Sequence, residues 1–502
     1  MKLSELLARS GIFCRVAGNA DPEITSIHTD SRRVCRNSLF VCIRGLKQDS
    51  HLRTAEAASR GAAAVIEEEG SPPAPTGVLT VYTPDTRIAA ARLYNGWYGD
   101  PARDMKLIAV TGTNGKTTVT YMLDSVFSAA MHKCGVIGTV RTFSPLGQID
   151  VSGGDENANL TTPDPEQLYA ALRKMKDDGA EYVFMEVSSH ALALHKTDPL
   201  TFEAAIFTNL TPEHLDFHGN MENYFLAKAG LLRQTRLAIL NADDEWTPRY
   251  LSYALACGCG CDIVTASTHR RDADYFADGI KTDGGISYTL VTRSALRRLR
   301  SSIPGEFNVM NSLQCAACAT ELGIGGKYVC DGLSVFTGAP GRLEKVRMPA
   351  GYGATVYIDY AHTPDALENL LITARNFMPA GKKLWLVTGC GGDRDKTKRS
   401  VMGGIASRMA DYVILTADNS RGEKLSDIIG EIVKGLDPGT PHAVITDRKD
   451  AIRYAVENAE DGDVILLAGK GHERYEIDRN GKRYFNEAQI AVEAASDVQK
   501  RK

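Results

Sequence analysis

Short apolar runs recur along this chain, and in its last third each of them ends in a polar loop. These strand-like runs are Val356–Ile358, Leu384–Val387, Tyr412–Leu415 and Val464–Leu467. Strands separated by helical segments predict a parallel sheet, and such sheets bind ligands beyond the carboxyl ends of their strands. The alternative is that the loops are only turns, but four loops rich in Arg, Asp, His and Glu favour a site. We therefore expect one crevice formed by the loops Asp359–Asp365, Gly389–Lys396, Asp418–Arg421 and Gly469–Glu473.

A glycine-rich turn lies between the apolar run Leu107–Val110 and a helix-like run that begins at Val119. It contains Gly112, Thr113, Asn114, Gly115, Lys116, Thr117 and Thr118. In such a turn the backbone N–H groups can surround phosphates, the lysine adds a point charge, and the first threonine offers a hydroxyl to Mg²⁺. The generic motif would have its first glycine at position 110, which is Val110 here. A chance turn is the alternative, but the flanking strand and helix favour a phosphate-binding loop.

Changes of pattern divide the 502 residues into three blocks. Residues 1–103 alternate short strand-like runs with an alanine-rich helix, and Asp100-Pro101 marks a linker. Residues 104–340 carry the phosphate loop, and a break at Gly338–Gly341 opens the block 341–502. We expect an α/β fold of three domains, with a central P-loop ATPase-like parallel sheet and a C-terminal Rossmann-like sheet.

Composition narrows the class of protein further. The net charge of −4 does not suggest nucleic-acid binding. Basic clusters such as Arg297–Arg300 are most simply solvated surface. No apolar run approaches the length of a membrane helix, and Met1–Glu5 opens no signal peptide. Cysteine is present 11 times, and the Cys257–Cys261 cluster lacks a histidine or second cysteine pair at metal-binding spacing. We expect a cytoplasmic protein with reduced, unligated thiols.

Two segments of the middle block carry candidate metal ligands. Glu186 ends an apolar strand-like run, and a carboxylate there, near a phosphate loop, is a natural Mg²⁺ ligand. A surface glutamate is the alternative, but the neighbouring residues are apolar. His214 and His218 lie together in a later segment, and spacing alone does not choose between them.

The sequence resembles the Mur ligase family of ATP-dependent, amide-forming enzymes over nearly the whole chain. Matching stretches include the phosphate loop, the Glu186 strand, the His214 segment, Tyr224–Lys228, Pro304–Asn311, Gly341–Glu344 and Asp359–His362. The resemblance implies an ADP-forming acid–amino-acid ligase of peptidoglycan synthesis, and hence of cell-wall biogenesis, cell shape and cell division. In such an enzyme ATP converts the γ-carboxylate of D-glutamate into an acyl phosphate, and an amine then displaces phosphate.

The resemblance also assigns residues to ATP and Mg²⁺. It implies that Lys116 contacts the β- and γ-phosphates and that Thr117, Glu186 and His214 hold Mg²⁺. Lys228 resembles the family lysine that reacts with CO₂, and a carbamate, unlike an ammonium, is an anion that binds a metal. Lys116, Lys228, His214 and Glu186 are thus the expected catalytic residues. The further expected nucleotide contacts are Asn308, Arg342 and, at the ribose, Asp359.

The muramoyl substrate is implied to bind the first two blocks, so residues 1–103 would be a UDP-sugar-binding domain and residues 104–340 the ATP-binding ligase domain. The expected contacts are Ser31 near the uridine end and Thr161, Thr162, Ser188 and Lys196 near the dipeptide. The chain departs from the family pattern at Leu194, where some members have glutamine, and at Lys196, which replaces arginine. A lysine keeps the charge but loses the bidentate fork. Asp49-Ser50-His51 also replaces the usual Asp-Gly-His.

The third block, residues 341–502, is implied to bind the amino acid. Members that add meso-diaminopimelate have Asp-Asn-Pro-Arg where this chain has Asp418, Asn419, Ser420 and Arg421. The resemblance implies that Arg394 and Arg421 pair with carboxylates, and that Gly469 and Glu473 belong to the same site, with Glu473 on the distal ammonium. Lysine-adding members lack that arginine, because lysine has no second carboxylate.

We therefore expect meso-diaminopimelate to be added to UDP-N-acetylmuramoyl-L-alanyl-D-glutamate. The alternatives are an L-lysine-adding enzyme, a family paralogue acting on another acyl substrate, and a non-catalytic nucleotide-binding subunit. The retained Lys116, Glu186, His214 and Lys228 argue against the last of these. The expected partners are the two substrates and ATP, with no nucleic acid and no membrane insertion, and we expect a monomer.

Overall fold

The structure of the chain is a computed structural model that describes residues 1–45, 48–71, 75, 77–151, 160–282 and 285–501. The chain forms two compact units. The first comprises residues 1–109, 133–205 and 227–236, and the second comprises residues 110–132, 206–226 and 237 onwards. The boundaries of the three blocks remain a prediction.

The α-helices of the described residues are α1 (Leu3–Ser10), α2 (Thr54–Ser59), α3 (Thr86–Trp97), α4 (Lys116–Ala129), α5 (Pro165–Asp177), α6 (Ser189–Ala193), α7 (Leu215–His218), α8 (Met221–Ala229), α9 (Thr247–Ala256), α10 (Phe307–Glu321), α11 (Gly326–Val335), α12 (Pro364–Phe377), α13 (Thr397–Met409), α14 (Leu425–Val433), α15 (Arg448–Asn458) and α16 (Glu487–Arg501). Short 3₁₀ helices lie at Ser31–Arg33, Ser50–Arg53, Pro101–Asp104 and Gly230–Gln234.

The strands of the same residues are β1 (Arg15–Ala17), β2 (Ser26–His28), β3 (Ser38–Val41), β4 (Ala62–Glu68), β5 (Leu79–Thr83), β6 (Lys106–Thr111), β7 (Cys134–Ile137), β8 (Thr142–Ser144), β9 (Gly147–Ile149), β10 (Tyr182–Glu186), β11 (Phe202–Phe207), β12 (Thr235–Asn241), β13 (Asp262–Ser267), β14 (Tyr275–Lys281), β15 (Ile286–Thr292), β16 (Leu296–Ser301), β17 (Glu344–Lys345), β18 (Thr355–Asp359), β19 (Leu384–Thr388), β20 (Tyr412–Leu415), β21 (His442–Val444), β22 (Val464–Ala468), β23 (Tyr475–Asp478) and β24 (Gly481–Tyr484).

Three large sheets and one hairpin, β23-β24, organise these strands. The N-terminal sheet has the order β1-β5-β4-β3-β2 and is parallel except for β1. The central sheet has eleven strands in the order β16-β15-β14-β13-β12-β11-β6-β10-β7-β8-β9. The predicted α/β class is thereby confirmed, and the structure shows three large sheets.

The central sheet is mixed, whereas the sequence predicted a parallel one. The strands β12, β13 and β14 are parallel neighbours, but β14-β15-β16 and β7-β8-β9 are antiparallel. The physical reason lies in the connections, because only two residues separate β8 from β9 and three separate β15 from β16. A connection that short joins antiparallel neighbours, and a parallel pair needs a crossover of a dozen residues or more.

The C-terminal sheet has the order β17-β18-β22-β19-β20-β21, and all of its strands except β17 are parallel. Its central strands are continuous apolar runs because helices cover both faces. The helices α12, α13 and α14 contribute to the core on one face, and α15 and α16 to the core on the other. All four predicted strands of the third block are confirmed, and their carboxyl ends meet at one edge of the sheet.

Within the described residues, no helix is both long enough and apolar enough to cross a membrane.

Candidate active site

The glycines of the phosphate loop are required by its backbone. The loop joins β6 to α4, and Gly112 and Gly115 have φ angles of 144° and 87°, which favour glycine. A Cβ on Gly112 would lie 1.9 Å from Thr208 Oγ1, and one on Gly115 would lie 2.6 Å from Asn311 Oδ1. Neighbouring side chains therefore pack directly against the bare backbone of the turn.

Lys116 begins α4 and is held against the phosphate loop. Its Nζ donates to Gly112 O at 3.0 Å and to Thr113 O at 2.8 Å. A lysine in this position of a strand–turn–helix unit meets the β- and γ-phosphates of a nucleotide. Thr117 and Thr118 follow in the first turn of the helix and are buried.

Side chains from the third block reach this loop within the second unit. Asn114 Nδ2 donates to Asp365 Oδ2 at 2.6 Å, and Arg342 Nη2 donates to Thr117 Oγ1 at 3.2 Å. The Arg342 guanidinium also lies over the Tyr360 ring, 4.5 Å from its centroid. The structure therefore places the predicted nucleotide contact Arg342 on the predicted phosphate loop, and it adds Asp365, which sequence reasoning missed.

Glu213 is an anionic carboxylate among basic groups of the same unit. Its Oε1 lies 3.6 Å from His214 Nε2 and 3.5 Å from His362 Nε2. Burial raises the pKa of Glu213, but the two histidines and Lys116 outweigh burial and hold that pKa well below its usual range. His362 Nδ1 lies 2.8 Å from Tyr360 O and donates to it. The predicted metal ligand His214 thus contacts a carboxylate that the sequence did not single out.

The other two predicted nucleotide contacts are held by local hydrogen bonds. Asn308 Nδ2 donates to Pro304 O at 2.7 Å, and its Oδ1 accepts from Asn311 Nδ2 at 2.9 Å. Asp359 ends β18 and accepts from the backbone N–H groups of Leu343, at 2.6 Å, and Ala361, at 2.7 Å. Burial raises the pKa of Asp359, although Arg342 and the two backbone donors oppose this rise.

Most of the predicted dipeptide-binding residues lie around Glu186 in the first unit. Both oxygens of this buried carboxylate accept from Thr139, whose N–H lies 3.0 Å from Oε1 and whose Oγ1 lies 2.9 Å from Oε2. Thr139 Oγ1 is also 3.0 Å from Thr161 Oγ1. Thr162 Oγ1 donates to Glu186 O at 2.8 Å and accepts from Ser188 N–H at 3.0 Å. Thr139 had not been predicted, because nothing in its local sequence points to this contact.

Lys196 belongs to the same cluster, although it replaces the arginine of the family pattern. It is buried, and its Nζ lies 2.8 Å from Asp164 Oδ1 and 3.4 Å from Thr162 O. The departure at Ser50 is accommodated without strain, since Ser50 has no positive φ and its Oγ donates to Ile43 O at 3.0 Å. Nothing in the structure explains Leu194.

Ser31 and Lys228 are also buried in the first unit. Ser31 Oγ donates to Glu56 Oε2 at 2.9 Å, so the structure ties this predicted uridine contact to α2 and not to the Glu186 cluster. Lys228 lies in α8, with only 1% of its surface exposed. Burial of a lysine to that degree is unusual and points to a specific role.

The predicted crevice of the third block is built by loops that hydrogen-bond to one another. Gly469 N–H donates to Asp359 O at 3.0 Å, and Gly392 N–H donates to Asn419 O at 2.9 Å. Arg421 Nη1 donates to Gly392 O at 3.0 Å, which brings it to the loop of Arg394. Partial burial of the guanidinium group and the nearby charge of Arg421 lower the pKa of Arg394, so the two guanidinium groups are neighbours. Such a pair of cations attracts a carboxylate.

One half of the crevice, which contains the predicted ammonium contact Glu473, is acidic. Asn419 Nδ2 donates to Glu473 Oε2 at 2.7 Å. Burial and the nearby charge of Asp418 raise the pKa of Glu473. Burial also raises the pKa of Asp418, but Lys470 and Arg448 lower it further, so the net shift is downward. A ligand ammonium would supply a missing positive charge to this half.

The loop with Ser420 lacks the proline of the family pattern and is held by backbone hydrogen bonds. Glu423 N–H donates to Ser420 O, and Arg421 N–H donates to Ile477 O. A Cβ on Gly392 would lie 2.0 Å from Ser420 O, so the backbones of the two loops are in direct contact here. Arg421 itself has φ 47°, a left-handed conformation that these contacts impose.

Beneath these loops lie buried arginines that sequence reasoning missed. Arg399 donates to both oxygens of Glu423, to Glu431 and to Gly391 O. Arg448 Nε donates to Glu487 Oε1 at 2.7 Å, and its two terminal nitrogens donate to Ala417 O and Ala468 O at 3.0 and 2.9 Å. No local pattern marks either residue, since the partners lie 20 to 39 positions away except at Gly391.

A strand–glycine turn–helix phosphate loop in a three-sheet α/β fold defines a nucleotide-binding protein of the P-loop type. Two family models match this chain: the Mur ligase middle domain over residues 110–319, and the Mur ligase glutamate ligase domain over residues 341–471. With the relatives described next, these matches show that the chain belongs to the Mur ligase family.

The relatives cover the full length of the chain. It is 38% identical to a UDP-N-acetylmuramoyl-L-alanyl-D-glutamate–2,6-diaminopimelate ligase of Clostridioides difficile (strain 630), over 99% of this chain and 100% of the relative. A ligase of the same description from Bacillus cereus is 39% identical over 98% of each. A solved structure so described is 30% identical, with a TM-score of 0.65 and 95% of each chain covered. A Mycobacterium tuberculosis folylpolyglutamate synthase, 19% identical, has a TM-score of 0.62 over 82% of this chain and 94% of its own, which is a likeness of fold.

Proposed function

We propose that this chain is the ATP-dependent ligase that joins meso-diaminopimelate to the D-glutamate of UDP-N-acetylmuramoyl-L-alanyl-D-glutamate in peptidoglycan synthesis. The observation that carries the choice of amino acid is the crevice of the C-terminal sheet. Its loops carry two guanidinium groups, Arg394 and Arg421, and the carboxylate of Glu473. Full-length relatives described as diaminopimelate ligases support the same choice.

The reaction needs a carboxylate to become an electrophile. The γ-carboxylate of the substrate attacks the γ-phosphorus of ATP, the bond to the β–γ bridging oxygen breaks, and ADP leaves. The acyl phosphate then accepts the amine, which loses a proton as phosphate departs. Charge accumulates on the phosphoryl oxygens during the first transfer, so cations that face it lower the barrier.

We assign the nucleotide to the phosphate loop Gly112–Thr118. Lys116 would exchange its two carbonyl contacts for phosphate oxygens, and backbone N–H groups of the turn would bind the same oxygens. Arg342, which reaches Thr117, would add a second positive charge from the third block. Asn308 and Asp359 would complete the nucleotide contacts, with Asp359 at the ribose.

The residues assigned to Mg²⁺ have chemistry that fits the ion. The buried carboxylate of Glu186 and the hydroxyl of Thr117 are hard oxygen donors, and His214 lies beside the anionic Glu213. Lys228 would contribute oxygen atoms as a CO₂-derived carbamate. When bound, Mg²⁺ would neutralise charge on the transferring phosphoryl group. The protein's own part is to hold Glu186 in place through Thr139 and to exclude water around it.

The dipeptide would bind beside Glu186 in the first unit. Thr161, Thr162 and Ser188 present hydroxyl groups there, and Lys196 adds a positive charge for the carboxylate of the substrate. Since Lys196 already pairs with Asp164, it would share its ammonium between the two anions. Ser31, on the N-terminal sheet side, would contact the uridine end.

The decisive experiment is an amino-acid panel. The purified chain, UDP-N-acetylmuramoyl dipeptide, ATP and Mg²⁺ are mixed with meso-diaminopimelate, L-lysine or L-ornithine, and products are identified by mass while phosphate release is followed. We expect diaminopimelate to exceed lysine in kcat/KM by about four orders of magnitude, because a site built around a polar pair rejects the analogue that lacks one partner. Comparable efficiencies for the two amino acids would refute the assignment.

Arg421→Ala tests whether Arg421 recognises the distal carboxylate or only supports the loops. It should damage use of diaminopimelate far more than residual use of lysine, since only diaminopimelate has a distal carboxylate. Lys449→Ala, at an exposed position of α15, is the matched control for loss of a positive charge. Equal losses with both amino acids would assign Arg421 to the scaffold. We further propose that the protein is cytoplasmic and has no nucleic-acid partner. We also propose that it is a monomer, and light scattering of the purified protein tests this oligomeric state.

A further inference from the structure

The side chain of Lys470 is fully buried where the loop Gly469–Glu473 meets the loop Asp418–Arg421, beneath the acidic half of the crevice. Lys470 has no exposed surface, and its Nζ donates to Asn419 Oδ1 at 2.9 Å and to Tyr475 O at 3.0 Å. Asp418 Oδ1 lies 3.6 Å away, and the Phe485 ring lies beneath at 5.8 Å from its centroid. A buried charge is expensive unless it is paired and hydrogen-bonded, and this one is both.

The contacts of Lys470 determine which way the Asn419 amide points. Asn419 Oδ1 accepts from Lys470 Nζ and also from Ile477 N–H at 3.0 Å. Two donors on one atom identify that atom as the oxygen and leave the amide nitrogen on the other side. Asn419 Nδ2 therefore faces Glu473 and donates to its Oε2 at 2.7 Å. The series Lys470–Asn419–Glu473 connects the core to the carboxylate of the crevice.

We infer that Lys470 is a positioning residue for the amino-acid substrate: it orients Asn419, and Asn419 holds the Glu473 carboxylate toward the substrate's ammonium. This inference rests on the proposed function, because it assumes that the crevice binds the amino acid. Lys470 does not itself reach the crevice, since it has no exposed surface. Its effect should therefore fall on the binding of the amino acid and not on phosphoryl transfer.

The test is Lys470→Met, which keeps the length of the side chain and removes the charge. The KM for diaminopimelate should rise at least about tenfold, the loss expected for one charge-assisted hydrogen bond, while kcat changes less than about threefold. The KM values for ATP and for the dipeptide nucleotide should stay at the wild-type level. Lys449→Met, at an exposed position of α15, removes a charge that none of these contacts uses and should leave all three KM values unchanged.

A second variant distinguishes a loss of positioning from a folding defect. Asn419→Asp keeps an oxygen for Lys470 and Ile477 but replaces the donor that faces Glu473 with an acceptor. It should raise the same KM, with normal circular dichroism and melting. An unchanged KM in both variants, equal rises in all three KM values, or loss of folding in both would overturn the inference. If the wild-type protein fails to use diaminopimelate at all, the proposed function itself is wrong, and the two failures are thereby distinguished.

Discussion

The Arg448–Glu487 pair offers a quantitative test of how the crevice is supported. Both side chains are essentially inaccessible, with 0% and 2% exposure, and Glu487 Oε2 has no hydrogen-bond partner among the described residues. Arg448 also donates to Ala417 O and Ala468 O, the carbonyls that immediately precede Asp418 and Gly469. Arg448→Met would leave a buried carboxylate uncompensated and two carbonyls without donors.

The expected loss of stability depends on how the Glu487 carboxylate responds to the removal of Arg448. Removing one partner of a buried pair costs about 3–5 kcal/mol. The carboxylate can limit its own penalty by taking up a proton, which costs about 3.7 kcal/mol at pH 7 for an unfolded-state pKa of about 4.3. Burial already raises the pKa of Glu487 in the intact protein, despite Arg448. We therefore expect Arg448→Met to lower the free energy of unfolding by about 3–5 kcal/mol at pH 7.

The same reasoning predicts a pH dependence with a definite sign. In the variant, the folded-state pKa of Glu487 lies further above its unfolded-state value, so the folded protein binds the extra proton. Stability is then fully present below the unfolded pKa and is lost as the pH rises toward the folded pKa. From pH 7 to pH 5 the cost of proton uptake falls by about 2.7 kcal/mol, so the deficit of the variant should shrink by up to that amount.

The assay is urea unfolding reported by Trp385, which lies in the core beside α15. The other two tryptophans, Trp97 and Trp246, are replaced by phenylalanine in every protein compared. Arg453→Met is the matched control, because the Arg453–Asp497 pair also joins α15 to α16 but is partly exposed. It should cost less than about 1 kcal/mol. A deficit for Arg448→Met that is small, or that is the same at pH 5 and pH 7, would refute the reasoning.

Three further outcomes are expected. Lys116→Ala should abolish phosphate release while circular dichroism stays normal, and near-normal turnover would remove the phosphate loop from the ATP site. Lys228→Ala should be inactive, and added short carboxylates should partly restore phosphate release by supplying the missing anion; full activity without them would contradict the carbamate assignment. Hydrogen bonds from Arg399 lower the pKa of Glu423 to about 2, below its ordinary 4.5, so this carboxylate stabilises the fold above that ordinary value and loses its effect as the pH falls toward 2. Glu423→Gln should therefore flatten the acid side of the melting-temperature profile, and an unchanged profile would exclude the pair as its cause.

The features that the sequence predicted are those that depend on neighbours in the chain. The apolar run before Gly112 and the helix after it are visible locally, and the structure has β6 and α4 there. The strands of the C-terminal sheet are equally legible because both faces are covered, which makes them continuous apolar runs. A polar loop after each strand then predicts where the crevice lies.

What the sequence did not predict depends on contacts across the fold. Arg448 looks like any helix-starting arginine, and its role appears only when Glu487, 39 residues away, lies beside it. Asp365 similarly meets Asn114 across 251 residues. The mixed character of the central sheet was missed for another reason. Its antiparallel edges follow from the short connections between β8 and β9 and between β15 and β16, and the sequence prediction did not consider the lengths of these connections.

The cationic side chains of the crevice divide into buried groups that support the loops and exposed groups that would contact the ligand. Arg399 and Lys470 hold the loops from below, whereas Arg394 and Arg421, which would choose the amino acid, retain exposure to solvent. An exchange of the exposed pair would alter the ligand without opening a cavity in the core. A change in the amino acid that is bound would then leave the supporting contacts of Arg399 and Lys470 in place.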